Sequence, residues 1–347
     1  MKQPMAGISA TLIICVLALG FISLFSFATF SGWVAYLIDC VIPVQIVIGV
    51  TWGANHPKFA ASKPQPIKGL LLLLFSLVIS AVLAAILHST IGHAINPPTP
   101  ILIFFMINLV LTTFLLTIMW GGWPFVGLIK NQLAAGFAVL IAAVVLGYII
   151  FRVFYDFSFM RGAPFFRDGD PSGMFNAWNF VVYYVTVIAA MFLIAAFDLW
   201  PLHLSPSLMK QPVLGLVWTL LAAVIAYIAN YIAIDVLKMD VVSFMVTVPI
   251  PFIFGTIIVL NMLQGSLFST LKPPLKGLCN AAVIAVTGSL LAHIYLWLMP
   301  TVTGALKPGA PAFDQEIWLA SALLSVTFPA LVCFAEFFKL WPLRKPE

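Results

Sequence analysis

Of 347 residues, 63% are apolar and only 8% charged, whereas a soluble domain of this length carries about a quarter charged residues to meet water. That excludes a soluble globular domain and leaves lipid as the solvent for most of the surface. The net charge of +5 sits in short loops at segment ends, which is a topology signal and leaves no basic stripe for a nucleic-acid partner.

The sequence therefore reads as an all-α integral membrane protein, a single polytopic transmembrane domain over residues 1–347. About ten continuously apolar stretches are long enough to cross roughly 30 Å of hydrocarbon at 1.5 Å per residue. They run over 8–29, 33–53, 69–93, 100–120, 132–154, 175–198, 212–234, 241–268, 276–300 and 316–341. The first follows Lys2, and its apolar run is longer than the core of a secretory signal, so it is expected to be a retained span.

The second stretch holds Asp39, about 9 Å below Trp33 by helical rise. A carboxylate in lipid is costly unless protonated, paired or hydrated. Arg152 and His88 fall at the same expected depth and are its candidate partners. A ligand-binding or proton-linked role, a structural pair with Arg152 and snorkelling to the interface all remain open. Pro43 and Gln45 follow, loosening the backbone hydrogen bonding there.

The third stretch ends in His88 and His93, and His293 lies near the corresponding end of the ninth. Imidazoles bind metal or haem, but His88 and His93 are five apart and no carboxylate or thiol cluster joins them, so interfacial histidines suffice as an explanation. The loop 155–174 is the longest outside the membrane on the extracytoplasmic side. Its Asp168-Gly169-Asp170-Pro171-Ser172-Gly173 matches the first half of a calcium loop, but the twelfth position is Asn179, and a surface turn explains the composition.

Asn176, Asn179 and Tyr183 share one face of the sixth helix; Tyr227, Asn230, Tyr231 and Asp235 share one face of the seventh. Amides and phenols are costly against lipid, so both faces are expected to point inward, as interhelical hydrogen bonds or as a ligand-lining surface. In the eighth helix Val248-Pro249-Ile250-Pro251, with Gly255 beyond, removes two backbone donors near mid-membrane. The result is a kink or a discontinuous helix lining a site.

Placing the N-terminus in the cytoplasm collects Lys2, Lys58, Lys63, Lys68, Lys130, Lys210, Lys272, Lys276, Lys339, Arg344 and Lys345 on one side, with both termini. All eight tyrosines then lie toward the other side. Lys63-Pro-Gln-Pro-Ile-Lys68-Gly69-Leu70 echoes Lys272-Pro-Pro-Leu-Lys276-Gly277-Leu278, and Trp123-Pro124, Trp200-Pro201 and Trp341-Pro342 recur at the ends of returning helices. The spacing of roughly 70 residues suggests about five tandem helical hairpins. Trp-Pro at a membrane interface followed by a helix stop would give part of the same pattern.

No nucleotide-binding loop, dinucleotide fingerprint, zincin motif or nucleophile elbow occurs. Cys15, Cys40, Cys279 and Cys333 form no C-x-x-C pair and read as buried thiols. The expected function is a multi-pass inner-membrane permease for a small neutral or amphiphilic substrate. Its site would draw on Asp39, His88, Arg152, Asn179, Tyr183, Tyr227, Asn230, Tyr231, Pro249, Pro251 and His293, with cofactor and metal unknown. A membrane subunit binding quinone, haem or metal near the outer face, and a scaffold subunit, are the alternatives. Lipid is the expected partner, with other membrane subunits or further copies of the chain in second place.

Overall fold

A computed structural model describes residues 2–344; Lys345, counted above with the cytoplasmic lysines, lies outside them. Among the described residues ten helices are long and apolar enough to cross a membrane: spans 1 to 10 are Met5–Ile22, Phe27–Thr51, Ile67–Thr90, Pro100–Met119, Gln132–Phe154, Ala177–Ala196, Val213–Val236, Val241–Met262, Leu275–Val302 and Asp314–Phe337. Polar caps set several starts: Thr99, Asn131, Asn176 and Asp240 accept backbone N–H groups of the first turn. Span 2 begins six residues earlier than expected, because Ser26 caps a short turn at Phe27 that runs straight into the span.

The spans alternate in burial. Of each span's apolar window, 72% is buried in spans 2, 4, 6 and 8 and 67% in span 10, against 22% to 44% in the odd spans. The even spans contact one another in the order 2, 4, 6, 8, 10 and back to 2, closing an inner ring. Each odd span lies outside that ring, in the groove between two inner spans: span 3 on 2 and 10, span 5 on 4 and 2, span 7 on 6 and 4, span 9 on 8 and 6, span 1 on 10 and 8. The main partner of an outer span is thus the inner span before it, whereas the expected hairpins paired it with the one after.

Donors on inner spans, buried for Tyr36 and Asn108 and half-buried for Tyr183, bond main-chain carbonyls of those outer partners: Tyr36 to Ala84 (2.6 Å), Asn108 to Gly147 (2.8 Å) and Tyr183 to Ala223 (3.2 Å). In lipid such bonds and close packing hold helices together, since apolar burial alone gives no preference for protein over acyl chain.

A five-fold repeat is clearest at the lysine-rich end. Each inner span stops in two consecutive left-handed residues: Gly53 and Ala54, Gly121 and Gly122, Asp198 and Leu199, Gln264 and Gly265, Lys339 and Leu340. Just before each stop, a residue of the inner span lies over a glycine near the start of an outer span. Trp52 covers Gly136, Trp120 covers Gly215, Phe197 covers Gly277, Leu263 covers Gly7 and Phe338 covers Gly69, all closer than a Cβ would permit.

In three of these units one glutamine joins both helix ends. Gln3, Gln65 and Gln211 donate Nε2 to the carbonyls of Met262, Phe337 and Met119, and their Oε1 accepts from the amides of Gly7, Gly69 and Gly215. One side chain thereby satisfies an unpaired C-terminal carbonyl and an unpaired N-terminal amide.

At the opposite end the loop after span 5 folds back as two parallel two-residue strands, β1 (Tyr155–Asp156) and β2 (Phe175–Asn176). Tyr155 and Phe157 are fully buried, the latter edge-on to Phe104. Asp170 fastens the loop to span 3's end, accepting from the Arg167 amide and lying 3.2 Å from His93 Nε2.

Candidate functional site

The inner ring encloses a cavity to which all five even spans contribute. Span 2 offers Ala35, Asp39 and Ile42, spaced four and three apart on one helical face; its back face, Ile38, Val41 and Gln45, lines a separate crevice between spans 1 and 3. Span 4 gives Ile103, Ile107, Val110, Leu111 and Phe114; span 6 gives Val185 and Ile188; span 8 gives Met245, Ile250 and Ile253. Span 10 gives Ala320, Ser321, Leu324, Ser325 and Phe328. The space open to the centre of a water molecule is about 100 Å³, enough for several waters or one small organic molecule.

Only Asp39, Ser321 and Ser325 bring polar side chains to this wall. Asp39 lies twelve residues into a span of 25, about 18 Å from its start by helical rise. It is therefore at the middle of its span rather than near the span's start. Its side chain is buried, and Ser325 of span 10 lines the same cavity. Among the described residues no cation forms an ion pair with it.

Both serines sit in a wide π-helical turn, Ser321–Thr327, embedded in span 10. Such turns leave carbonyls displaced from regular α-helical bonding and recur at functional sites. On the lysine-rich side the phenyl rings of Phe114, Phe192 and Phe328 meet edge to face at 5.5 Å and 5.8 Å and form a floor. Beyond it Glu336 of span 10 accepts from Asn261 of span 8 at 3.1 Å and from Lys339 at 2.9 Å, with Gly49 of span 2 alongside.

Of the residues expected to form a site, Asp39 lines the cavity and Pro249 and Pro251 flank its wall. The helix breaks at Val248 (φ −120°, ψ −74°), separating Val241–Thr247 from Pro249–Thr256. The break also serves packing: the Pro251 carbonyl comes so close to Gly288 of span 9 that a Cβ there would lie 1.9 Å from it.

The remaining site residues lie elsewhere. Arg152 donates to the Gly169 carbonyl, and His88 Nε2 meets the Ile95 carbonyl and tilts against Trp33, so neither partners Asp39. Asn179 is exposed and Tyr183 is used in the bond to span 7. The inward face expected for span 7 is corrected. Tyr227 and Tyr231 are 67% and 53% exposed, and Asn230 bonds back to Ala226, while the face turned inward is Gly215, Trp218, Ala222 and Ala226. His293 is likewise exposed and bonded to the Ser289 carbonyl of its own helix. Phenols and imidazoles at the end of an outer span suit the polar–apolar boundary of a bilayer.

The described residues contain no group of three or more His, Cys, Asp or Glu arranged to hold a metal ion. Ser321, Ser325 and Glu336 escaped the sequence reading. Serines are too common in membrane helices to stand out, and Glu336 reads as an interfacial charge beside Lys339. No family model, curated protein or solved structure matches the chain.

Proposed function

We propose that the ring is a permease-like membrane protein that holds a small amphiphilic molecule in its central cavity. The apolar body of that molecule rests on the five inner spans and its hydrogen-bond-donating head on Asp39 and Ser325. The observation that carries this reading is one carboxyl at the middle of its span, without an ion-paired cation among the described residues, on a wall that is otherwise almost wholly apolar. Intramembrane ionisable groups are costly to keep and most often mark a ligand or ion pathway. Few convergent polar groups in an apolar concavity is the usual composition of a small-molecule site.

The cavity's size favours a ligand on the scale of a single substituted ring or short chain. The broken span 8 and the π-helical turn of span 10 give the wall two elements able to shift without losing many backbone hydrogen bonds. The lysine excess at one end supports a cytoplasmic placement of that end in a bacterial-type inner membrane.

Saturable binding of a panel of small amines, alcohols and neutral aromatics to the protein in nanodiscs tests the reading, followed by uptake into proteoliposomes against protein-free vesicles. At least one class is expected to bind, with Asp39→Asn weakening it tenfold or more. Binding and uptake that stay at background for every class, or that ignore Asp39→Asn, would falsify it.

A further inference from the structure

A second hollow, about 300 Å³ by the same measure, lies between outer spans 7 and 9 over the seam where inner spans 6 and 8 meet. It is separated from the central cavity by one layer of side chains. Along span 6, Val185 and Ile188 line the cavity while their chain neighbours Thr186 and Ala189 line the crevice. Along span 8 the cavity residues Met245 and Ile250 alternate in the same way with Phe244 and Pro249.

The crevice sits at the helix break, and there an inner span reaches the protein's outer surface: Val248 is 49% exposed. Thr186 and Thr247 turn their hydroxyls back to Val182 and Ser243 of their own helices, so these two side chains offer an acyl chain no unpaired donor. The other crevice, behind spans 2 and 10, backs onto an equally thin wall, but there span 2 keeps helical dihedrals through Cys40 (φ −64°, ψ −23°) and does not break as span 8 does at Val248. On the span 6 side of this crevice two small residues, Ala189 and Ala190, lie between Thr186 and Leu193.

We propose that the crevice is a lateral doorway through which a membrane-dissolved amphiphile passes from the bilayer, between spans 6 and 8, to the Asp39 cavity. This rests on the reading of the cavity as a binding site and narrows its substrate to molecules that partition into lipid. A residue in the doorway touches the ligand neither in the bilayer nor in the cavity. Obstructing it slows loading and release equally and leaves affinity unchanged, whereas altering Asp39 changes affinity.

The test is ¹⁹F NMR of 4-fluorophenethylamine with the full-length protein in nanodiscs. The expected result is a bound resonance whose exchange with the lipid pool slows at least tenfold in Ala189→Trp while its population changes less than twofold. In Asp39→Asn the population should instead fall at least tenfold. Ala229→Phe, which fills the same crevice from outer span 7, gives the equivalent obstruction if Ala189→Trp does not fold. An exchange rate unchanged in the obstructed variant removes the doorway and leaves the cavity reading standing. A bound population absent from the native protein removes both.

Discussion

Spans 2 and 7 both carry polar residues on a defined helical face, yet one face looks into the ring and the other out of it. On span 2, Asp39 shares its face with Ala35 and Ile42 and closes the cavity wall. On span 7, Tyr227 and Tyr231 share a face that leaves the protein, while Gly215, Ala222 and Ala226 take the packing side. Helical spacing establishes which side chains are neighbours on one face; it does not establish which way that face points. Direction is set by where the span sits between its neighbours, and for outer spans by which side lets two backbones approach most closely.

If close approach, rather than polarity, decides how outer spans are turned, the largest effects should come from glycines at the contact between rings. A Cβ on Gly255 of span 8 would lie 2.1 Å from the Ile284 carbonyl of span 9, whereas one on Gly20 of span 1 would meet nothing within 4 Å. Gly255→Ala is expected to destabilise by about 3 kcal/mol, as overpacking against rigid backbone does, and Gly20→Ala by less than about 0.5 kcal/mol. Thermal unfolding in one detergent compares them, and equal melting temperatures would break the two-ring description.

The next effect concerns function and separates the two polar faces directly. Asp39→Leu is expected to weaken binding of a small amphiphilic amine tenfold or more, the scale of a lost charge-assisted hydrogen bond, roughly 1.5–3 kcal/mol. Tyr227→Leu and Tyr231→Leu together should leave affinity within twofold, because both rings face outward. A comparable loss from the tyrosine pair would restore the inward-facing site expected from the sequence.

The ten spans, the lysine-rich end and the break in span 8 were legible in the sequence because each rests on local composition: apolar length, basic loops, paired prolines. Inner and outer rings were not. Mean hydropathy is 2.0 for span 2 and 2.1 for span 7, and the outer spans, at 1.8 to 3.0, bracket the inner range of 2.0 to 2.5. Lipid and protein interior are nearly equivalent solvents for leucine, so hydropathy carries little trace of the ring. Asp39 was legible as unusual, though its depth was not, since the short cap at Ser26 moves the start of the helix. A better signal was present for the five-fold unit. Gln3-Pro4-Met5-Ala6-Gly7, Gln65-Pro66-Ile67-Lys68-Gly69 and Gln211-Pro212-Val213-Leu214-Gly215 share one pattern, and Lys68-Gly69 is only its tail.

That pattern gives a smaller, sharper test of the contact between rings. Gln65→Ala removes the bond to the Phe337 carbonyl and the cap on the Gly69 amide, for an expected loss of about 1–2 kcal/mol. Gln211→Ala should lose a similar amount at its own unit, and the double variant should show the sum, since distant sites without shared partners act independently. Ser89→Ala, on the exposed side of an outer span where the hydroxyl bonds only its own helix, should change nothing measurable by chemical denaturation.

The smallest expected effect lies outside the bilayer. Hydrogen bonds from the Ser158 hydroxyl and amide hold Asp156 below the ordinary carboxylate range. A depressed folded-state value means that this contribution to loop order is complete above the unfolded carboxylate pKa of about 3.9 and is lost as pH falls through the folded value. The turn after β1 should therefore keep its amide protection from pH 8 down to about 5 and lose it only in stronger acid. In Asp156→Asn, which cannot titrate, the Ser158 amide should exchange faster wherever the native carboxylate is ionised, and its protection factor should no longer change in acid. Asp156 is half-buried in the loop, outside the spans, so the effect stays local and the cavity's affinity for its ligand should be the same in both proteins. A change in that affinity with Asp156→Asn would mean that the loop after span 5 and the inner ring are coupled, and the contrast between the cavity carboxyl proposed to bind a ligand and a loop carboxyl that merely fastens a turn would need redrawing.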